Sequence, residues 1–182
     1  VEDTAGKRYL DWHGNNCHNV GYAHPRVTAA IHDQLAELAF VPRGFTASTP
    51  VRLAEKLAAL WPGDSARVSL VPGGSSAVET ALGVARVYTG RSRIISFYGA
   101  YHGRSAGALS VSGPARGRSA KLGPLVPGTI FVPPFHAMTR QDMADPDTAA
   151  RRSLEAIKDA LEFEGDIAAL IAEPIRNGPY TP

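Results

Sequence analysis

The sequence predicts an α/β domain built on a parallel sheet, and three observations carry that expectation. From Val68 onward, short apolar runs alternate with helical patterns, the order that successive βαβ units produce. Residues 167–172 read Ile-Ala-Ala-Leu-Ile-Ala without a break, as a parallel strand covered on both faces should. Between Val71 and Ala77 stands Pro-Gly-Gly-Ser-Ser, a tight turn set between a strand pattern and a helix pattern.

The elements follow in order along the chain. Gly6 to Trp12 reads as a short hairpin arm, followed by a polar, Gly- and Asn-rich stretch to His24. Pro25 occupies a first-helical position, and Val27, Ile31, Leu35 and Leu38 recur at helical spacing. A second helix is expected from about Val51 to Trp61, stopped by Pro62-Gly63. Val68–Val71 reads as a buried strand. Ser75 to Thr89 then reads as a helix closed by Gly90, with a capping box of Ser76 and Glu79. Its inward face would be Val78, Leu82, Ala85 and Val87. Arg93–Phe97 is the next strand, followed by a polar loop and a short helix near Ser105–Leu109. Residues 111–128, rich in Gly, Pro, Ser and Arg, suggest an exposed excursion. Thr129–Val132 is a third strand. After a loop over 134–147, Asp147–Glu164 forms an amphipathic helix with Leu154, Ile157 and Leu161 inward, leading into the 167–172 strand.

Bulk properties narrow the function classes. The 182 residues fit one domain or a large piece of one, and 44% hydrophobic with 20% charged residues argues against disorder. No run approaches the roughly 18 apolar residues of a membrane span. The opening Val-Glu-Asp-Thr-Ala-Gly-Lys has no signal-peptide blocks, and without a Met it reads as trimmed. A net charge of +2 with scattered arginines gives no basic stripe for nucleic acid. A single cysteine, Cys17, excludes an internal disulfide framework and multi-cysteine metal sites. It favours a reducing, cytoplasmic setting, and Cys17 reads as a turn residue rather than a nucleophile.

Three segments bear chemistry. The Gly-Gly-Ser-Ser turn at 73–76 offers a helix N-terminus, whose unpaired N–H groups and dipole suit a phosphate. The same residues equally suit a helix that only caps itself. Tyr98-Gly99-Ala100-Tyr101-His102-Gly103 follows a strand, where an aromatic ring and an imidazole would meet a flat ligand at the sheet's carboxyl edge. A packed tyrosine with a hydrogen-bonded histidine is the alternative. Glu173-Pro174 ends the last apolar run, and a carboxylate there needs a partner, either around a ligand or in a salt bridge.

Taken in order, the motifs resemble the class III aminotransferase family. They are Gly6-Lys7-Arg8-Tyr9-Leu10-Asp11, Gly21-Tyr22-Ala23-His24-Pro25, Gly74-Ser75-Ser76-Ala77-Val78-Glu79, Tyr88-Thr89-Gly90-Arg91, Ser96 through Arg104, and Glu173-Pro174. The resemblance covers essentially the whole chain. It implies the three-layer α/β/α large domain of pyridoxal-phosphate-dependent transferases, incomplete here, with an N-terminal arm and small-domain segment. On that basis residues 1–45 are the arm and small-domain segment, and 46–182 the first part of the large domain. The implied cofactor is pyridoxal 5'-phosphate and the implied assembly a homodimer. Carried over by position, Gly74 and Ser75 would bind the phosphate and Tyr101 would stack on the ring, with His102 beside it. Glu173 would lie near the ring hydroxyl and the Asp that pairs with the ring nitrogen. Trp12, Arg43 and Arg176 would face the substrate, although a surface arginine is the commoner use of either arginine.

Two departures bear on function. Ser76 stands where family members usually carry an acid, and Ile175-Arg176-Asn177-Gly178 replaces a common Val-Gln-Gly continuation. With Gly14-Asn15-Asn16-Cys17-His18, these are similar to a subgroup that includes ammonia-lyases and phospho-lyases acting on aminophosphonates or phosphorylated amines. The implied activity is transfer of an amino group from a primary amine or amino acid to a 2-oxo acid through a Schiff base. The alternatives are such a lyase, a non-catalytic phosphate-binding half-domain, and a structural subunit pairing with an active one. The four lysines, Lys7, Lys56, Lys121 and Lys158, do not match the family's lysine context. The Schiff-base Lys and the ring-nitrogen Asp are therefore expected beyond residue 182, and the chain alone is expected to be inactive.

Overall fold

The computed structural model describes residues 1–12, 14, 17–42, 44–64, 66–113, 124–135 and 144–174. Contacts divide the chain into two compact units, Val1–Val68 and Ser69–Pro182.

In the first unit the N-terminal arm is a hairpin. Val1 and Tyr9 exchange backbone hydrogen bonds, Glu2 bridges Arg8 in antiparallel fashion, and the Asp3 carboxylate accepts from the Ala5 and Lys7 N–H groups. Helix α1 spans Pro25–Glu37, with proline in its first turn, and α2 spans Ser48–Ala59. The second helix thus begins three residues and ends two residues earlier than Val51–Trp61. The Thr49 hydroxyl ties it to Gln34 of α1 at 2.6 Å.

The second unit holds the sheet. Its described strands are β1 (Arg93–Phe97), β2 (Thr129–Val132) and β3 (Ile167–Leu170), all parallel, with β1 in the centre. Helix α3 covers Gly74–Thr89, α4 covers Ala106–Ser110, and α5 covers Pro146–Asp159 before a π-helical turn at Ala160–Glu164. Side chains alternate across the central strand, as a pleated strand requires. Ile95 and Phe97 join Val132, Ala160 and Ile167 on the face covered by α5, where Ala156 and Ile157 pack. Ile94 joins Leu82 and Val111 on the opposite face, with Val78 of α3 and Ala168 and Ala169 of β3. Helices on both faces of a parallel sheet make the three-layer α/β/α arrangement the sequence predicts.

Several expectations need correction. Val68–Val71 is not a strand here, and Leu70 is 45% exposed. An extended segment becomes a strand only when a neighbour supplies the ladder, and this one pairs with no described strand. Ser76 does not cap α3. The N-cap is Gly73, and the Glu79 carboxylate serves α4 instead. Val87 is 87% exposed, so the inward face of α3 is Val78, Leu82 and Ala85. Helix α5 packs Ile157 inward as expected, but its buried residues are Ala149 and Ser153, followed by Ala160 in the π-helical turn, while Leu154 and Leu161 are more than half exposed. A stripe of small side chains lets a helix approach a sheet closely, and proximity outweighs the larger apolar area on the other face. The 111–128 excursion begins buried, with Val111 at 1% exposure. Residues 114–123 lie outside the described residues.

Candidate functional site

The site is assembled at the carboxyl edge of the sheet from three segments of the second unit. In a parallel sheet the carboxyl ends of neighbouring strands open on one side, and β1 and β3 deliver the 98–105 loop and Glu173 there. The third segment is the N-terminus of α3.

At α3 the first backbone bond runs from the Ala77 N–H to the Gly73 carbonyl at 3.0 Å, so the N–H groups of Gly74, Ser75 and Ser76 fall outside the helical ladder. A Cβ added at Gly74 would meet nothing within 4 Å. No packing demand among the described residues therefore calls for glycine there, and the open space suits the close approach of an anion to bare backbone. The Ser75 Oγ accepts from the Arg104 N–H at 3.1 Å, which leaves its proton for a second acceptor.

The aromatic loop is held at four points. The Glu173 carboxylate accepts from the Tyr101 N–H. The Ser112 hydroxyl accepts from the His102 N–H at 2.9 Å, and the Gly113 N–H donates to the Ala100 carbonyl at 2.9 Å. Ser75 holds Arg104, as above. Tyr101 remains 41% exposed, so its ring keeps a face for stacking. His102 is half-buried and its Nε2 is buried with no partner among the described residues. Burial pushes the imidazole pKa down, and the Glu173 charge partly offsets this.

Of the predicted site residues, Ser75, Tyr101, His102 and Glu173 thus come together, with Gly74 beside Ser75. The described partner of the Glu173 carboxylate is the Tyr101 N–H of the loop. Trp12 belongs to the first unit and is 92% exposed. Arg43 and Arg176 lie outside the described residues, as does Lys121. Lys7 lies over the Tyr9 ring at 5.1 Å, and Lys56 and Lys158 occupy the last turns of α2 and α5. None of the three stands on the site's segments. Among the described residues no cluster of three or more His, Cys, Asp or Glu could hold a metal ion.

Sequence reasoning missed Glu79, Ser105, Ser112 and Gly113 as supports of the loop. Ser105 carried the signal of an N-cap before Ala106. The others join segments distant along the chain and leave no local mark.

Known proteins give this geometry a context. The model of the family described as aminotransferase class III matches residues 1–178. The chain is 37% identical to the (R)-1-hydroxy-2-aminoethylphosphonate ammonia-lyase of Vibrio splendidus, over 97% of the chain and 40% of that protein. It is 38% identical to a 5-aminovalerate aminotransferase of Pseudomonas aeruginosa, over 97% of the chain and 41% of that protein. A crystal structure of taurine:2-oxoglutarate aminotransferase from Bifidobacterium kashiwanohense, in complex with pyridoxal phosphate and glutamate, superposes with a TM-score of 0.86. The two are 30% identical, over 97% of this chain and 41% of that one. The chain therefore spans about two fifths of the length of these relatives. A family match over residues 1–178, with the glycine turn, aromatic loop and strand-end carboxylate drawn to one edge, means that this chain belongs to the class III aminotransferase family.

Proposed function

We propose that the protein is a pyridoxal-phosphate-dependent aminotransferase moving an amino group from a primary amine or amino acid to a 2-oxo acid. The observation that carries this reading is the convergence of Gly74, Ser75, Tyr101 and Glu173 at one sheet edge in a class III chain. The donor set fits the cofactor. The N–H groups at the start of α3 and the Ser75 hydroxyl would take the phosphate, and Tyr101 would cover the ring with His102 beside it. Bound there, pyridoxal phosphate supplies an electron sink for the charge left when a proton departs from the substrate carbon. The chain's own contribution is to bind and orient. The α3 dipole would face the phosphate, and Glu173 fixes the backbone of Tyr101, whose ring would stack.

The wider assignment belongs to the same reading. Residues 1–45 act as arm and small-domain segment, and 46–182 as the first part of the cofactor domain. Trp12, Arg43 and Arg176 are assigned to substrate recognition, the two arginines suited to an anionic group. The Schiff-base lysine and ring-nitrogen acid follow residue 182, in keeping with relatives more than twice as long as the chain. The protein works as a homodimer in the cytoplasm, a setting compatible with an exposed free thiol at Cys17.

A second reading is favoured by one observation: the ammonia-lyase relative at 37% identity. On the same scaffold, an ammonia-lyase would release ammonia without an acceptor. Product analysis on the full-length protein separates the two. With an amine and 2-oxoglutarate, the aminotransferase reading predicts glutamate formed in step with the carbonyl product. Stoichiometric ammonia released without any oxo acid would overturn it in favour of the lyase.

A further inference from the structure

Glu79 stands one helical turn beyond Ser75 on α3, the helix whose N-terminus forms the candidate phosphate turn. Its Oε1 accepts from the Ser105 hydroxyl at 2.7 Å, the Gly107 N–H at 2.8 Å and the Ala108 N–H at 3.2 Å. These donors begin α4, directly after the aromatic loop. A Cβ at Gly107 would collide with the Glu79 carboxylate, and one at Gly103 would collide with the Ser75 hydroxyl. Residues four apart share one face of a helix. Ser75 and Glu79 therefore grip the exit of the loop from successive turns, each against a glycine that permits the approach. The Ser105 hydroxyl, followed by the two N–H groups, holds the Glu79 carboxyl below its ordinary range. Charge-assisted bonds of this kind are among the stronger ones available to a side chain. Neither a self-cap for α3 nor a solvated surface acid accounts for three donors gathered on one oxygen.

We propose that Glu79 is a positioning residue for the cofactor. It fixes the loop carrying Tyr101 and His102 against the turn carrying Gly74 and Ser75, so that the ring and phosphate positions keep one spacing. The inference rests on the cofactor reading above. A ligand held at both ends tolerates only about 0.5 Å of drift between its supports, so loosening the loop weakens binding although Glu79 touches no part of the ligand.

The test uses the full-length protein and its variants Glu79→Ala, Glu79→Gln and Asp145→Ala. The last removes the N-cap of α5, where Asp145 accepts from the Thr148 N–H at 3.1 Å, and serves as a variant destabilised away from the site. Pyridoxal phosphate is titrated by visible absorbance, with the circular dichroism of the bound cofactor recorded and apo-protein melting measured in parallel. Glu79→Ala is expected to weaken binding about tenfold, the low end of what losing an outer support of a ligand site costs, and to reduce the cofactor's dichroism. Glu79→Gln keeps an acceptor oxygen and is expected to recover most of both. Asp145→Ala is expected to lower the melting temperature without moving either. Unchanged affinity and dichroism in Glu79→Ala would overturn the proposal, as would an equal loss in Asp145→Ala. If the unchanged protein takes up no cofactor, the cofactor reading itself falls and takes this inference with it.

Discussion

At the scale of single residues, what distinguishes the site is how many backbone N–H groups of one loop are claimed by side chains from elsewhere. Glu173 takes Tyr101, Ser112 takes His102 and Ser75 takes Arg104. Of these acceptors Glu173 was the one whose need was legible in the sequence, because a glutamate ending an apolar strand needs a partner. The identity of that partner was not legible, because nothing in the sequence near Tyr101 points to residue 173. His102 yields a prediction of its own. Burial favours its neutral form, so its folded pKa lies below the unfolded value of 6.5. With the folded pKa depressed, the unfolded chain binds the proton more readily, and stability falls as pH drops through 6.5 toward the folded value. Glu173, which faces His102, limits the effect without reversing it. Melting of the cofactor-free protein between about pH 8 and about pH 5.5 should therefore show a loss on acidification that His102→Gln reduces. An identical slope in both proteins would rule out His102 as its source.

At the scale of elements, periodicity located the helices and apolar runs located the three paired strands, but neither fixed orientation. Along α5 and the π-helical turn, Leu154 and Leu161 are exposed, while Ile157 packs inward beside the small residues Ala149, Ser153, Ala156 and Ala160. Hydrophobic size misleads when the limiting quantity is how closely two backbones can approach. The 68–71 segment fails for a related reason: its strand character depends on a partner rather than on its own residues. One consequence is measurable on α5. Ser153 is 1% exposed and its hydroxyl has no partner among the described residues. Replacing it with alanine removes an unsatisfied polar group at almost no loss of packing. Ser153→Ala is expected to raise stability by about 1 kcal/mol in denaturant unfolding. A loss of similar size would mean that the hydroxyl is hydrogen-bonded in solution.

At the scale of the whole molecule, the ordered series of motifs spoke more clearly than any one of them. Gly-Gly-Ser-Ser alone is compatible with an ordinary helix start. Its order with Tyr101-His102 and Glu173-Pro174 carried the family resemblance, and the family match over residues 1–178 agrees. The three-layer core followed from the same alternation of strand and helix. The substrate side was far less legible, since Arg43 and Arg176 fall outside the described residues and Trp12 lies in the other compact unit. The central claim is that the turn at Gly74 and Ser75 holds the cofactor by its phosphate. Because a Cβ at Gly74 meets no atom of the described residues within 4 Å, Gly74→Val should fold normally and obstruct an incoming anion. The most direct measurement titrates the full-length protein and this variant with pyridoxal phosphate, and with pyridoxal lacking the phosphate, following visible absorbance. The account predicts that the variant loses about a hundredfold or more in affinity for pyridoxal phosphate, the scale of two charged hydrogen bonds, while pyridoxal binds both proteins with equal weakness. Retention of pyridoxal phosphate by Gly74→Val at unchanged affinity would contradict it.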